Sequence, residues 1–296
     1  MIKRRISQLL FAIATNLNFK GFLTGQVYTG KTKGMCVPGL NCYACPGALF
    51  SCPMGALQNA FCDPARRFSF YVTGLLTLFG VIFGRLACGL LCPFGLIQDI
   101  LYLPARLLHK RRRLSRRRPD GLRYVKYAVL GIMVIILPIM ATDAFGYGDP
   151  WFCKFLCPSG VIMGALPVMA ANPQFFNLTG MIFYIKITTT AIIVLLSTVS
   201  ERFFCKYLCP LGAIYSLFNR FSFYRIHVDH SKCISCGKCE ANCPMRVNPS
   251  QTPNSPECIR CGRCLHICGE HALTSGFEKK QNSCENSCSQ SCTQSD

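Results

Sequence analysis

The sequence predicts an all-α polytopic membrane protein of about four transmembrane helices, internally duplicated, followed by a small C-terminal α+β unit. Three observations carry that expectation. Only 15% of the 296 residues are charged and the mean hydropathy is +0.30, too apolar for a soluble protein of this size. The net charge of +19 gathers beside apolar stretches, where it sets topology, which argues against nucleic acid as a partner. The 22 cysteines fall into a few repeated spacings, a usage that points to metal in a reducing setting.

Taken in order, Lys3, Arg4 and Arg5 precede an apolar stretch from Ile6 to about Thr24, broken by Asn16, Asn18 and Lys20. It reads as a marginal span or an interfacial helix. Residues 25–67 read as an irregular outer loop holding Cys36, Cys42, Cys45, Cys52 and Cys62. Phe68 to Ala87 is apolar for long enough to cross a hydrocarbon layer of about 30 Å, which takes roughly 20 helical residues. Residues 1–103 then form a first helix pair, and the arginine-rich run at 104–123 a cytoplasmic loop resting on membrane lipid. A second pair occupies 124–222, with spans at about Tyr124–Thr142 and Gly180–Val199 and an amphipathic surface stretch from Val161 to Ala171 between them. Lys186, inside the last span, reads as a side chain snorkelling to the outer face. Residues 278–296 form a Ser-rich tail with Cys284, Cys288 and Cys292, which reads as disordered.

The C-terminal unit, 223–277, carries CISCGKCEANCP and then CIRCGRCLHIC. The spacing C-x-x-C-x-x-C-x-x-x-C occurs twice, the arrangement by which bacterial ferredoxins hold two [4Fe-4S] clusters, each run lending its fourth cysteine to the other cluster. On that rule Cys233, Cys236, Cys239 and Cys268 hold one cluster, and Cys258, Cys261, Cys264 and Cys243 the other. A disulfide framework or a pair of zinc sites also uses C-x-x-C, yet needs neither the third spacing nor the closing Cys243-Pro244.

A second repeat lies in the membrane part. Cys88-Gly-Leu-Leu-Cys92-Pro93-Phe-Gly95, Cys153-Lys-Phe-Leu-Cys157-Pro158-Ser-Gly160 and Cys205-Lys-Tyr-Leu-Cys209-Pro210-Leu-Gly212 are near copies, and Cys52-Pro53-Met-Gly55 is a degenerate fourth. Arg85 and Arg202 stand three residues ahead of their copies. Cysteines four apart share a helix face, and the proline marks a break where backbone can open towards a cofactor. Two thiolates are too few for a cubane, but two copies on one side supply four. Cys88, Cys92, Cys205 and Cys209 are therefore expected to meet at the inner interface. Cys153 and Cys157 face outward, where Cys45 and Cys52 complete a second set of four. The competing readings are cysteine as a small buried hydrophobe beside a helix-ending proline, and a disulfide-stapled outer loop.

From residue 68 to 272 the chain resembles the NapH-type membrane iron-sulfur proteins and the polyferredoxin ends of NosR-type proteins, through the CxxxCP pairs and the two ferredoxin runs. The resemblance implies four membrane helices with both termini in the cytoplasm, in the cell (inner) membrane. It also implies transfer of electrons between a cytoplasmic donor or quinone pool and an extracytoplasmic redox protein or flavoprotein. The Cys-rich outer loop and third CxxxCP depart from the simpler members and favour a path through the membrane, with one inner-interface and one outer-interface cluster beyond the ferredoxin pair. A quinol-oxidising subunit and an assembly or redox-sensing factor are the alternatives. The sequence contains no nucleophile with its base, no phosphate loop and no dinucleotide fingerprint, so substrate chemistry is left to a partner.

Overall fold

A computed structural model describes residues 2–64, 69–107 and 120–277. Most of the basic run at 104–123 and the whole tail with Cys284, Cys288 and Cys292 lie outside the described residues. The first half contains α1 (Ile2–Thr15), α2 (Phe19–Thr24), α3 (Pro53–Cys62), α4 (Phe70–Phe83), α5 (Leu86–Leu90), α6 (Pro93–Leu101) and α7 (Leu103–Leu107). In the second half α8 (Val125–Val129), a π-helical segment (Leu130–Ile136) and α9 (Leu137–Met140) follow without a break. Two further π segments, Phe152–Leu156 and Gly160–Ala165, flank Cys157, and the latter continues into α10 (Leu166–Ala171). Then come α11 (Met181–Val199), α12 (Phe203–Tyr207) and α13 (Pro210–Phe218). The C-terminal unit is β1 (Tyr224–Val228), α14 (Lys238–Ala241), α15 (Arg263–Ile267) and β2 (Leu273–Phe277). Its strands pair antiparallel, Tyr224 opposite Phe277 and Val228 opposite Leu273.

Among the described residues two helices, Gly121–Met140 and Met181–Val199, are long and apolar enough to cross a membrane. Only 17% of the second one's apolar window is buried, and its exposed residues include Met181, Ile182, Ile185, Ile192, Leu195 and Val199. An apolar helix in a soluble core would hide that face. Helices α1 and α4 have 14 residues each, about 21 Å of rise, which is less than the hydrocarbon thickness. The ends are set locally. Thr15 Oγ1 and Asn16 Nδ2 turn back to the carbonyls of Phe11 and Ala12, and α4 stops where Gly84 takes φ +57°. A side chain on Gly84 would lie 2.5 Å from Asn219 Oδ1, so the chain must turn there on a residue without Cβ.

The two halves pack crosswise: α6 lies against α11, and α13 against α4. Within the segment expected as an outer loop, residues from Val37 to Gln58 pack against both halves. Val37, Leu40 and Met54 are buried, and Tyr215 Oη donates to Pro38 O at 3.1 Å. Gly39 lies so close to the other half of its own repeat unit that a Cβ would stand 3.3 Å from Cys92 Cα. The Val161–Ala171 stretch buries one face, Val161, Gly164 and Met169, with Gly164 against the backbone of Cys45, and leaves Leu166 exposed.

Candidate metal centres

In the C-terminal unit both cysteine runs bend in the same way. Ser235 and Gly237 have φ +52° and +68°, and Arg260 and Gly262, at the equivalent positions, +50° and +72°. Left-handed backbone at a serine and an arginine is unfavourable. Alternating right- and left-handed residues turn successive N–H groups into one concavity, the backbone nest that suits an anionic iron-sulfur group. Cys243 joins Cys258, Cys261 and Cys264, whose charges act on one another. Burial, reinforced by these neighbours, pushes the Cys258 thiol up to about 11 and the Cys264 thiol up to about 12. Such crowded thiols become thiolates when a metal takes the proton's place. Cys239 and Cys268 pack around Ile226 and Leu273, and Cys236 is exposed.

Beneath this unit lie Cys88, Cys92, Cys205 and Cys209, all buried. Cys88 and Cys205 sit in the middle of α5 and α12, and Cys92 and Cys209 stand immediately before the N1 prolines of α6 and α13. Gly212 N–H caps back onto Cys209 Sγ at 3.4 Å, and the matching glycine N–H groups approach the sulfurs of Cys92, Cys157 and Cys52. At Cys209 the C-P-x-G spacing is thus a helix N-cap made with sulfur in place of oxygen. Gln98 Nε2 donates to Cys205 Sγ at 3.2 Å while its Oε1 accepts from Phe204 N–H at 3.1 Å, and the Arg85 guanidinium approaches the Cys88 sulfur.

The two arginines of the repeat exchange halves. Arg85 Nη2 donates to Cys205 O at 3.2 Å, and Arg202 Nη1 donates to Cys88 O at 2.9 Å. Each runs over the repeat glycine opposite it: a Cβ on Gly212 would stand 3.1 Å from Arg85 Nη2, and one on Gly95 3.3 Å from Arg202 Nη2. Both arginines are 0% exposed. Asp99 holds Arg202 through two bonds of 2.9 Å and also pairs with Arg4. Glu257 pairs with Arg85 and with Lys126. Four buried cations therefore face two carboxylates, and the surplus positive charge surrounds four cysteines. A cage of thiolates around an anionic cluster fits that imbalance, since buried charge without compensation is costly.

A further cavity, of about 230 Å³, is lined by Cys42, Cys52, Cys153 and Cys157 together with Asn41 and Lys186. Gln58 on α3 fixes one wall, accepting from Cys153 N–H at 3.2 Å and donating to Met133 O at 3.0 Å. Of the outer residues expected from sequence, Cys52, Cys153 and Cys157 meet here and Cys45 does not. Its Sγ donates to Met163 O at 2.9 Å, and Cys42, three residues earlier, takes the place. The Lys186 ammonium turns towards Gly160. Its Nζ comes within 3.0 Å of where a Gly160 Cβ would be. All nineteen described cysteines are free thiols, so the infolded segment is not stapled. Among the described residues no three Cys, His, Asp or Glu side chains close on a single metal ion. A cubane differs in offering a separate iron to each thiolate.

The sequence reading did not pick out Gln98, Asp99, Lys126 or Glu257. Their signal was present in retrospect, since a carboxylate in so apolar a chain needs a cation, and Arg85 and Arg202 were already marked by the repeat.

Comparison with known proteins gives these cysteines a context. A 4Fe-4S binding domain model matches residues 68–115, 127–167 and 184–227, and a second matches 225–248. The chain is 28% identical to the ferredoxin-type protein NapH of Haemophilus influenzae over 66% of its length and 64% of the relative's. The chain belongs to the NapH-type 4Fe-4S proteins. Its cofactors are 4Fe-4S clusters, and its family is that of ferredoxin-type electron-transport proteins. An uncharacterized protein of Methanocaldococcus jannaschii is 29% identical over 67% of each chain. The putative electron transport protein YccM of Escherichia coli is 28% identical over 61% of this chain and 48% of its own. No solved structure matches.

Proposed function

We propose that this member of the family is an integral membrane conduit that takes electrons from a cytoplasmic donor at the C-terminal unit and delivers them to an extracytoplasmic redox protein. Clusters held by the cysteine sets would supply one-electron storage at each of them. Cys233, Cys236, Cys239 and Cys268 would hold the station open to a soluble donor, Cys243, Cys258, Cys261 and Cys264 the one below it, and Cys88, Cys92, Cys205 and Cys209 an inner-interface station.

The observation that carries this reading is the unbroken order of contacts. Cys236 is exposed. Cys261 lies against α5, its Cα 3.6 Å from where a Gly89 Cβ would be, and its charge acts on Arg202 and Arg4. These cations border the inner cysteines. From Cys92 the path continues to Leu40, whose N–H turns to the Cys92 sulfur and which also lines the cavity of Cys42. Docking is firm: Arg263 forks onto Glu201 at 2.7 and 3.1 Å, Arg260 donates to Phe83 O and Asn219 O, and Asn219 Nδ2 donates to Ser255 O and Cys258 O. The buried side chains of Tyr215, Phe94 and Phe204 keep water from the inner cysteines, and the surplus of arginine lowers the cost of added negative charge.

The test is transfer across a bilayer. Protein is reconstituted in vesicles that hold ferricyanide, and dithionite is added outside. Wild-type protein bleaches the trapped ferricyanide, whereas Cys88→Ser slows bleaching to the rate of empty vesicles. A wild-type rate equal to that of empty vesicles refutes the conduit.

A further inference from the structure

The cavity beside α11 holds more than packing requires. At about 230 Å³ it exceeds the roughly 150 Å³ that accommodates a benzene molecule in an engineered core. Four sulfurs from three separate segments reach it. Asn41, 0% exposed, lines it with both its Nδ2 and Oδ1 lacking any partner, a state that buried amides avoid unless something occupies the space before them. The Lys186 ammonium has no carboxylate partner among the described residues, and its charge acts on Cys42, Cys153 and Cys157.

We propose that Cys42, Cys52, Cys153 and Cys157 hold a [4Fe-4S] cluster in this cavity, with Lys186 as its counter-charge and Asn41 as an amide donor to it. The repeat supplies the logic. At Gly95 the guanidinium of Arg202 takes the room that a Cβ would fill, and at Gly212 that of Arg85 does. At Gly160 the group in that room is Lys186 Nζ, with Cys42 Sγ 3.5 Å from the same point. Three copies of one motif thus set a glycine beside a cation next to a cysteine pair, and in each the other two sulfurs of the set come from elsewhere in the chain. Cys45 is excluded by its bond to Met163 O. The site rests on the conduit reading for its purpose and on the cavity for its ligands.

The experiment measures iron, zinc and acid-labile sulfide in the full chain purified without oxygen, for wild type, C42S, C45S, K186M and K186R. Four irons per cluster means that C42S loses about four irons and four sulfides and C45S loses none. K186M keeps its iron but moves the midpoint of one cluster to lower potential, because a nearby cation favours the reduced form, and K186R returns it. The assignment is overturned if C42S keeps all its iron, if C45S loses as much as C42S, or if the cavity holds zinc without labile sulfide. Should C42S fail to fold, an iron-complete K186M with every midpoint unmoved overturns it as well. An iron-complete C42S that still bleaches trapped ferricyanide would sink this site and leave the conduit standing.

Discussion

Asp99→Ala isolates what the crossed arginines contribute. Asp99 is 4% exposed and accepts from Arg202 Nε and Nη2, both at 2.9 Å, as well as from Arg4. Its removal leaves a fully buried guanidinium and a nearly buried one without their anion. Breaking a buried pair by deleting one partner costs about 3–5 kcal/mol, a factor of roughly 10² to 10³·⁵ in the folding equilibrium, and that is a large part of the ~5–15 kcal/mol that holds an ordinary domain. The solvent-exposed pair Lys232–Asp229, with side chains 63% and 43% exposed, is the control, because such pairs contribute little to stability. Thermal unfolding in detergent under anaerobic conditions should therefore place Asp99→Ala on the order of 10 °C below wild type and Asp229→Ala within about 2 °C of it. Arg202 also holds Cys88 O, so Asp99→Ala protein that folds should have lost the inner-interface iron. Equal midpoints for the two variants, with full iron in both, would show that the buried charges are compensated without Asp99 and refute the reasoning.

Two further outcomes follow from the same geometry. Gly95→Ala or Gly212→Ala puts a methyl group 3.3 or 3.1 Å from a pinned guanidinium and should destabilise by about 1–3 kcal/mol, whereas Gly74→Ala, in the interior of α4 with nothing within 4 Å, should stabilise by about 0.5–1 kcal/mol. Melting curves of the three check both signs. Cys268→Ser should abolish the same paramagnetic cluster signal as Cys233→Ser, and Cys243→Ser the same signal as Cys258→Ser. Loss of the Cys258 signal in Cys268→Ser would show that the runs do not exchange their fourth cysteines.

Much of the site was legible because its information is local. The ferredoxin runs and the CxxxCP copies are spacings of a few residues, and the chemistry of thiolates makes such spacings mean something. The turn extends even to the degenerate copy at Cys52, whose glycine N–H approaches the sulfur as in the others. What the spacing cannot show is which cysteine of a glycine- and proline-rich stretch turns inward. Cys42 and Cys45 are three residues apart, and Cys45 N–H closes a turn onto Cys42 O at 3.1 Å that sends their side chains different ways. Where Lys186 turns is no more local: its ammonium takes the space left by the missing Cβ of Gly160, 26 positions earlier in sequence. Two of the four expected spans are long, apolar helices, and α1 and α4 are shorter, ended by Asn and Gly turns. The packing of residues 37–58 depends on partners such as Tyr215 and Cys92, far away in the chain, for which a linear pattern has no term.

The exchanged arginines have a consequence for how such a chain can be cut or copied. Neither half can satisfy its own cysteine turn: the carbonyl at Cys88 waits for a guanidinium from beyond residue 200, and that at Cys205 for one from before residue 90. A polypeptide with a single half would have to borrow the missing group from a twin, meeting it about a two-fold axis as isologous dimers do. The duplicated protein carries that handshake inside one molecule, so its subunit interface has become its core.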